Sequence, residues 1–457
     1  MRFLITTLAE YQTPFWLGVG TELRRLGHDA AFVSFDDPST ELIRGAGFPV
    51  FSGRDEAIPG SASQGAVLLE QVEGRTLNSW LTHERFAFGI DDTAALRQKL
   101  LRAMALADRA CRSWAEGGPF TMVQELGGFL SVIGSYFAAR RHGVDNWFAE
   151  PSFFRGRLFF IRNSFAALQI SAPAASAPSE VLGYLQETVA SSAIVIPLKD
   201  IHQYTTAWKK IVNSRNAKRL TRKLVDKYVH GTSREFGYIG NHVAQHLRML
   251  RNALRLRNRY TPLADCGRFV YYPLHVPGDM ALTLRTPHLL DQLGLIDFVC
   301  RSAPDSHVVA IKEHPAMIGA MDAGRLLELL NRYDNLRLLA PANNNYRVLE
   351  RADAVVSVNS KTGAEAALLG KPVLVLGDAF YRHSPLVTAV DNLKDLPAAL
   401  AAILATPPAR PDADAVARYF AAVWSRSLPG ELYVDSPDNV RAFARSMIAA
   451  IEEPGSC

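Results

Sequence analysis

Hydrophobic and polar positions alternate along the chain in blocks that predict strands and helices in turn. Near the N-terminus, residues 3–8 form a short apolar run, residues 15–26 have helical spacing that ends at Gly27, and residues 30–35 form a second apolar run. Glycine directly after the last periodic residue is a common helix stop. The β-α-β order predicts a parallel sheet covered by helices.

The same alternation is clearest over residues 268–405. Five apolar runs alternate there with helical segments: FVYYPLH, HVVAIKEH, LRLLA, AVVSV and PVLVLG. None of these runs alternates between apolar and polar residues, which is typical of strands buried on both faces of a parallel sheet. The predicted fold class is therefore α/β, with a complete doubly wound domain in the second half.

The length of 457 residues is too great for one hydrophobic core and predicts two domains. SAPAASAPSE at 171–180 is typical of a surface loop or linker, and TPPARPDAD at 406–414 is a proline-rich joint. We predict an N-terminal Rossmann-like domain over 1–262, a C-terminal Rossmann-like domain over 263–408, and a helical tail over 409–457 that packs back on the first domain.

The composition, 48% hydrophobic and 21% charged, is that of a globular protein, and it argues against a disordered or membrane-spanning chain. The apolar run after Arg2 meets Glu10 too early for a signal peptide. The four cysteines have no paired spacing, so neither a disulfide framework nor a zinc site is predicted. These features predict a cytoplasmic protein.

The net charge of +5 is concentrated in one segment. Residues 206–260 contain fourteen Lys or Arg and two acidic residues, a balance of +12, so the rest of the chain carries −7. Two sets repeat at helical spacing in its last part: Leu247, Leu250 and Leu254, and beside them Arg248, Arg251 and Arg255. This predicts a basic amphipathic helix.

Two interpretations of this segment remain open: a peripheral contact with anionic inner-membrane lipid, or a solvated helix face that covers the interdomain cleft. Nucleic-acid binding is not expected, because the segment has few interleaved aromatic residues and no recognisable module.

Polar residues follow each apolar run of the second half. In an open parallel sheet, ligands bind beyond the carboxyl ends of the strands, where helix N-termini also converge. The loops after the five runs contain Asp279, Lys312, His314, Asn343, Asn344, Asn345, Ser360, Lys361, Thr362, Asp378 and Tyr381. The sequence therefore predicts one convergent polar site at this edge.

The stretch SKTGAEAALLG enters a helix with hydroxyls, a lysine and backbone N–H groups that suit a phosphate, which would leave Glu365 to hold a ribose. Alternatively, Ser360 or Thr362 caps the helix and Glu365 completes a capping box. The nearby Lys312 and His314 favour the ligand interpretation, although a lone His is more often a core residue. The spacing of a Walker A motif is absent.

Two carboxylates are candidates for reaction roles. Asp279 follows Pro-Gly in the loop after a strand, and Glu150 ends the predicted strand NWFAE in the first domain. A pair of carboxylates across a sugar-binding cleft is what glycosyl chemistry requires. The alternatives are that Asp279 is a turn residue and that Glu150 forms an interdomain ion pair with Arg155 or Arg157.

These motifs, taken in order, resemble the bacterial capsule polysaccharide synthesis proteins and the related retaining β-Kdo glycosyltransferases. The resemblance rests on YYPLHVPGD, KEHP and SVNSKTGAEAALLGKPVLVLGDAFY, with a weaker match at AEPSFF, and spans roughly the second domain. It implies a GT-B fold, in which two Rossmann-like doubly wound domains face each other across a cleft, with C-terminal helices. It also implies transfer of Kdo from CMP-β-Kdo to a lipopolysaccharide O-antigen or capsular glycan.

The resemblance also implies roles for individual residues. Asp279 is expected to be the nucleophile that forms a covalent Kdo adduct, Glu150 its proton-handling partner, and His314 with Lys312 the ligands of the CMP phosphate or sugar carboxylate. The expected nucleotide-side contacts are Ser360, Lys361, Thr362, Gly363 and Glu365. His275 is a departure, because capsule members often carry Gln at that position.

No cofactor or metal is expected, since the strand-end loops contain no Asp-x-Asp motif. The expected partners are a nucleotide-sugar donor and a glycan or lipid-linked glycan acceptor. Two other functions remain open: a GT-B transferase that uses another nucleotide sugar such as a UDP-hexose, or a non-catalytic component of polysaccharide assembly.

Overall fold

The computed structural model describes residues 1–53, 74–192, 231–405 and 412–453. The strands in these residues are β1 (Arg2–Thr7), β2 (Asp29–Ser34), β3 (Val50–Ser52), β4 (Thr121–Glu125), β5 (Asn146–Pro151), β6 (Arg157–Arg162), β7 (Tyr260–Thr261), β8 (Phe269–Pro273), β9 (Val308–Lys312), β10 (Leu336–Leu339), β11 (Ala354–Ser357), β12 (Val373–Val375), β13 (Thr388–Ala389) and β14 (Leu428–Pro429).

The α-helices of the same residues are α1 (Thr13–Arg25), α2 (Asp37–Gly45), α3 (Leu77–Phe88), α4 (Thr93–Ala115), α5 (Leu130–Arg141), α6 (Ser179–Ser191), α7 (Ile239–Leu256), α8 (Gln292–Ser302), α9 (Ala323–Arg332), α10 (Asn345–Arg351), α11 (Lys361–Leu368), α12 (Leu396–Ala405), α13 (Ala413–Ser425) and α14 (Pro437–Glu452). None of the helices in the described ranges is both long enough and apolar enough to cross a membrane.

Two seven-stranded sheets organise these elements. The first has the order β14-β6-β5-β4-β1-β2-β3, and the second has the order β13-β12-β11-β8-β9-β10-β7. The second sheet is parallel throughout, whereas β6 and β14 run antiparallel at one edge of the first. Both sheets have the doubly wound order, which reverses between β1 and β4 and between β8 and β11. The predicted α/β fold with two Rossmann-like sheets is confirmed.

Strand β9 explains why the apolar runs are uninterrupted, because its side chains belong to two different hydrophobic cores. Ala310 belongs to the hydrophobic cluster that reaches the first domain, while Val309 and Ile311 belong to a separate cluster inside the second domain. All three side chains are fully buried. Because successive residues of a strand point to opposite faces, a strand covered on both sides has no polar face to alternate with.

The C-terminal helix α14 packs against the first helix of the chain. Phe443 contacts Phe15 and Trp16 edge to face, with ring centroids 5.0 and 5.5 Å apart. Gly18 allows the close approach, since a Cβ there would lie 3.1 Å from a methyl of Val440. The tail thus completes the core of the first domain.

The predicted basic segment at 206–260 is described only from residue 231 onward, and residues 206–230 lie outside the described ranges. Its last part forms α7, which contacts both domains. Asn241 donates to the carbonyl of Gly89 at 2.8 Å in the first domain, and Asn252 donates to the carbonyl of Met321 at 2.8 Å in the second.

Candidate active site

A cavity of about 450 Å³ lies between the carboxyl edge of the second sheet and the end of β5 in the first. Because β8 and β11 are neighbours at the point where the strand order reverses, the loops that follow them lie side by side. The predicted site residues that line the cavity are Glu150, Asp279, Lys312, His314, Ser360, Lys361, Thr362 and Glu365. Side chains separated by more than two hundred residues therefore meet at one place.

Gly363, the remaining predicted contact, is not part of the cavity wall. A Cβ at this position would lie 2.2 Å from the hydroxyl oxygen of Tyr381 and 3.0 Å from the Cβ of Ser357. Only glycine allows α11 to approach Tyr381 this closely. The geometry gives Gly363 a packing role, and Tyr381, expected at the cavity, is fully buried behind it.

Asp279 is held in a tight turn after β8. Its backbone N–H donates to the carbonyl of Val276 at 2.9 Å, and its Oδ1 accepts from the N–H of Ala281 at 2.9 Å. Gly278 is pressed against α3, where a Cβ would lie only 2.8 Å from the Cα of Ala87. Asp279 is therefore both a turn residue and a cavity residue, and the turn fixes where its carboxylate points.

Glu150 forms an interdomain ion pair, but the partner is Arg285. The two guanidinium N–H groups of Arg285 donate to Oε1 and Oε2 of Glu150 at 2.8 and 2.9 Å, and its Nε donates to the carbonyl of Phe165 at 2.8 Å. The predicted partner Arg157 is wrong, since its Nε donates to the hydroxyl of Ser427 at 2.9 Å.

Arg285 was not singled out by the sequence pattern. It ends the π-helical turn Ala281–Arg285, whose geometry has no repeating signature. Burial disfavours its charge, but the carboxylate of Glu150 outweighs that penalty and raises the pKa of Arg285. The pair closes the first-domain wall of the cavity and fixes the position of the Glu150 carboxylate.

Lys312 is a buried cation at the end of β9. The residue is only 4% exposed, and its Nζ donates to the carbonyl of Asn343 at 3.0 Å. Burial lowers the pKa of Lys312 to about 8, although Glu365 acts in the opposite direction. The lysine is protonated at neutral pH, and an anion that enters the cavity would stabilise this charged form.

His314 lies in the cavity wall, where it caps the 3₁₀ turn Pro315–Met317. Its Nδ1 accepts from the N–H of Ala316 at 3.3 Å. A neutral ring with Nδ1 as acceptor carries its proton on Nε2. The core-histidine alternative is wrong, because the residue is only half-buried and lines the cavity.

Ser360 caps α11, and its Oγ accepts from the N–H of Thr362 at 3.2 Å. Glu365 does not complete a capping box, because it lies five residues after the cap whereas a capping box requires three. It accepts instead from the Nδ2 of Asn345 at 2.5 Å, and burial raises the pKa of its carboxyl. Lys361 points to the first domain and donates to the carbonyl of Ser152 at 2.7 Å.

Two further titratable residues of the wall were not predicted as site residues. Glu313 is 1% exposed, accepts from the N–H of Gly319 at 3.0 Å, and has its pKa raised to about 7 by burial. The backbone N–H of His275 donates to Oε1 of Gln292 at 2.7 Å. Burial lowers the pKa of the His275 ring, and Asp279 acts in the opposite direction. The sequence marked His275 only as a departure from the resembled family.

The wall as a whole combines three cations, Lys312, Lys361 and Arg285, with the carboxylate of Asp279 and a capped helix N-terminus. This set suits an anionic ligand next to a carboxylate that can attack or stabilise a cationic carbon. Within the described ranges, no group of three His, Cys, Asp or Glu side chains is arranged to hold a metal ion.

Comparison with known proteins gives a sequence match over the region that contains the cavity. The family model for "Capsule polysaccharide biosynthesis protein" matches residues 135–402, which include most of the wall of the cavity. Protein FixF of Sinorhizobium fredii (strain NBRC 101917 / NGR234) is 33% identical over 147 residues, 32% of this chain and 35% of FixF. The match thus spans about a third of the length of that curated relative.

Solved structures show weaker likeness. A Thermosulfurimonas dismutans KpsC described as a beta Kdo 2,7 transferase has a TM-score of 0.36 and 16% identity, with 76% of this chain and 89% of that chain covered. A second, described as a beta Kdo 2,4 transferase, has a TM-score of 0.35 and 14% identity, with 73% and 88% covered. The family assignment rests on the sequence match over residues 135–402.

Proposed function

The chain belongs to the capsule polysaccharide biosynthesis protein family, and on that premise we propose that it is a retaining glycosyltransferase. The proposed reaction moves Kdo from CMP-β-Kdo to a lipopolysaccharide O-antigen or capsular glycan. The observation that supports it most is the Asp279 carboxylate, held by a rigid turn in the same cavity as Lys312, His314 and the Glu150–Arg285 pair.

The donor is an anion with a phosphate and a carboxylate, and the cavity offers complementary groups. Among the described residues, the buried ammonium of Lys312 has a hydrogen bond to the Asn343 carbonyl and none to a carboxylate, so a phosphate would relieve part of its burial penalty. His314 carries an Nε2 proton when neutral, and the N-terminus of α11 adds backbone dipoles. Glu365 and Thr362 lie on the α11 side, where the proposal places the nucleotide.

The proposed mechanism is double displacement at the anomeric carbon. Asp279 attacks that carbon, a carboxylate oxygen–carbon bond forms, and the bond to the CMP phosphate breaks with its electron pair leaving on phosphate. An acceptor hydroxyl then attacks from the opposite side and releases the Asp279 carboxylate. Two inversions give net retention.

The second step requires a group that takes the proton of the acceptor hydroxyl, and the proposal assigns this role to Glu150. Each of its oxygens accepts one N–H from Arg285, which leaves one further acceptor position per oxygen. Arg285 is then a positioning residue, because it fixes the Glu150 carboxylate across the domain boundary.

Intact-protein mass spectrometry with CMP-Kdo tests the nucleophile directly. The wild-type chain is expected to gain one Kdo residue, and Asp279→Asn is expected to gain none while still binding CMP. Asp305→Asn, on an exposed aspartate of the same domain, is the matched control and should behave as wild type. An adduct on Asp279→Asn, or a product of inverted configuration, would contradict the assignment.

A panel of nucleotide sugars separates the alternative functions. Stabilisation against heat by CMP but not by UDP is expected, and the reverse order would favour a UDP-hexose transferase. A non-catalytic role predicts that Asp279→Ala supports polysaccharide assembly in cells. Loss of assembly with an unchanged melting temperature would exclude that role.

A further inference from the structure

Helix α7 carries a row of apolar side chains on its outer face. Val243, Leu247 and Leu254 are 41, 60 and 47% exposed, and Leu250 between them is half-buried. Their spacing of four, three and four residues places all four on one side of the helix. We name Val243, Leu247, Leu250 and Leu254 the α7 stripe. This exposed apolar row is a candidate interaction surface.

Basic side chains flank the α7 stripe, and α7 itself contains no acidic residue. Asp322 of the second domain is near one of them, since its carboxylate and the Arg255 guanidinium both lie within 4 Å of the position that a Cβ would take at Gly324. The exposed arginines on and just after the helix are Arg248, Arg251, Arg255, Arg257 and Arg259. No Asp or Glu occurs from residue 236 to residue 264. The surface is therefore apolar along its centre and positive at its side, in a chain whose residues outside 206–260 sum to −7.

The inner face of α7 is anchored to the second domain, so the α7 stripe lies on the opposite side from that contact. Asn252 is buried and donates to the carbonyls of Gly319 and Met321 at 3.0 and 2.8 Å. Gly319 has a φ of +79°, and a Cβ there would lie 2.1 Å from the carbonyl oxygen of Met249. The helix is thus fixed to the loop that follows His314 in the cavity wall.

We propose that α7 docks the protein on an anionic lipid surface, with the α7 stripe at the boundary between headgroups and acyl chains and the arginines against lipid phosphates. A helix with an apolar face and a basic polar face lies in the membrane interface in this way. A second copy of the chain fits worse, because a two-fold contact through this face would bring the same arginines of both copies together.

Docking through α7 has a consequence for the cavity. Since α7 is fixed to the loop after His314, docking through its outer face would hold this part of the cavity wall close to the lipid surface. If the proposed function is correct, this placement suits an acceptor that is itself attached to lipid. The docking itself does not depend on the proposed function.

Co-sedimentation of the full chain with sucrose-loaded vesicles tests the proposal. Binding is expected to vesicles of phosphatidylcholine with phosphatidylglycerol and not to phosphatidylcholine alone, and it should weaken as salt shortens the screening length. Leu247→Asp should abolish binding. Replacing Arg248, Arg251 and Arg255 together by Ala should weaken binding roughly 100-fold, about fivefold for each arginine.

Matched controls come from other exposed faces of the described structure. Leu182→Asp on α6, and Arg97→Ala with Arg102→Ala on α4, should leave vesicle binding unchanged. Circular dichroism checks that each variant is folded, and Leu247→Ser replaces Leu247→Asp if the latter is not. Because these variants lie outside the cavity wall, CMP binding should be unaffected by all of them.

Several results would overturn the proposal. Equal binding to neutral and anionic vesicles would show that the arginines do not bind lipid phosphates. Undiminished binding by Leu247→Asp would show that the α7 stripe does not contact the lipid. Binding that survives every α7 variant would assign the membrane contact to another segment. Sedimentation of the free chain as a dimer that Leu247→Asp converts to a monomer would assign the face to a second copy.

Discussion

Replacing Lys312 by Met is expected to stabilise the unliganded protein while it weakens nucleotide binding. Burial lowers the pKa of Lys312 from its ordinary value of 10.5 to about 8. Since one pKa unit corresponds to about 1.4 kcal/mol, the charged form is disfavoured by roughly 3 kcal/mol in the folded state. The lysine nevertheless remains protonated at pH 7, because its pKa is still above that pH.

Removing the buried charge should stabilise the folded state. Part of that stabilisation is offset by the loss of the hydrogen bond from Nζ to the Asn343 carbonyl, which contributes about 1 kcal/mol. Met has a similar volume and no charge, so we expect Lys312→Met to be about 2 kcal/mol more stable at pH 7. The second domain should melt about 4–8 °C higher.

The pH dependence gives the sign of the effect independently. The folded-state pKa of Lys312 is below the unfolded value, so the unfolded state binds more protons between about pH 8 and 10.5. Wild type therefore gains stability from this group as the pH rises through that window, and Lys312→Met does not. The advantage of the variant should be largest below pH 8 and should disappear by about pH 10.5.

Differential scanning calorimetry at pH 7 and pH 10.5, with and without CMP, measures all of these quantities. CMP should raise the melting temperature of wild type and have little effect on Lys312→Met. Lys394→Met, at an exposed lysine of the same domain, should change neither stability nor CMP binding. A destabilised Lys312→Met at pH 7, or an advantage that does not change with pH, would refute the reasoning.

Four further predictions follow from the site. Arg285→Gln should destabilise the protein by about 3 kcal/mol, because it leaves Glu150 unpaired at a site where the two side chains are 7 and 22% exposed; urea unfolding should show at most 1 kcal/mol for the exposed control Arg325→Gln. His314→Ala should weaken CMP binding by calorimetry at least tenfold, and unchanged affinity would count against its role. Glu313→Gln should abolish the loss of stability that wild type shows as the pH rises from about 4.5 to about 7, since the folded-state pKa of Glu313 is raised to about 7 and Gln does not ionise. Identical pH profiles of melting for the two proteins would contradict this. Transfer should persist in excess chelator, and loss of activity restored by a divalent cation would show a metal requirement.

The fold was predictable because its signals are local. The run HVVAIKEH predicts a strand, and β9 forms at Val308–Lys312, because alternate residues supply two separate cores. The antiparallel edge of the first sheet was not predicted. β14 is only two residues long, and it exists because a distant part of the chain pairs with β6.

The candidate site was predicted in part for a similar reason. Residues at the carboxyl ends of parallel strands must lie at one edge of a sheet, so Asp279, Lys312 and Ser360 could be placed together from strand order alone. The partner of Glu150 could not be found in this way. Arg285 is 135 residues away, on a π-helical turn of the other domain, and nothing in its neighbourhood distinguishes it from other arginines.

The sequence by itself determined the succession of strands and helices in the second domain, the chemical groups at the ends of its strands and the amphipathic pattern of α7, because each depends on residues close together in the chain. Only the tertiary structure decided which groups are paired, which are buried and how strongly they titrate. Pairing and desolvation depend on atoms brought close by folding, so Gly363 became a packing residue, Glu150 gained Arg285, and Lys312 acquired a lowered pKa.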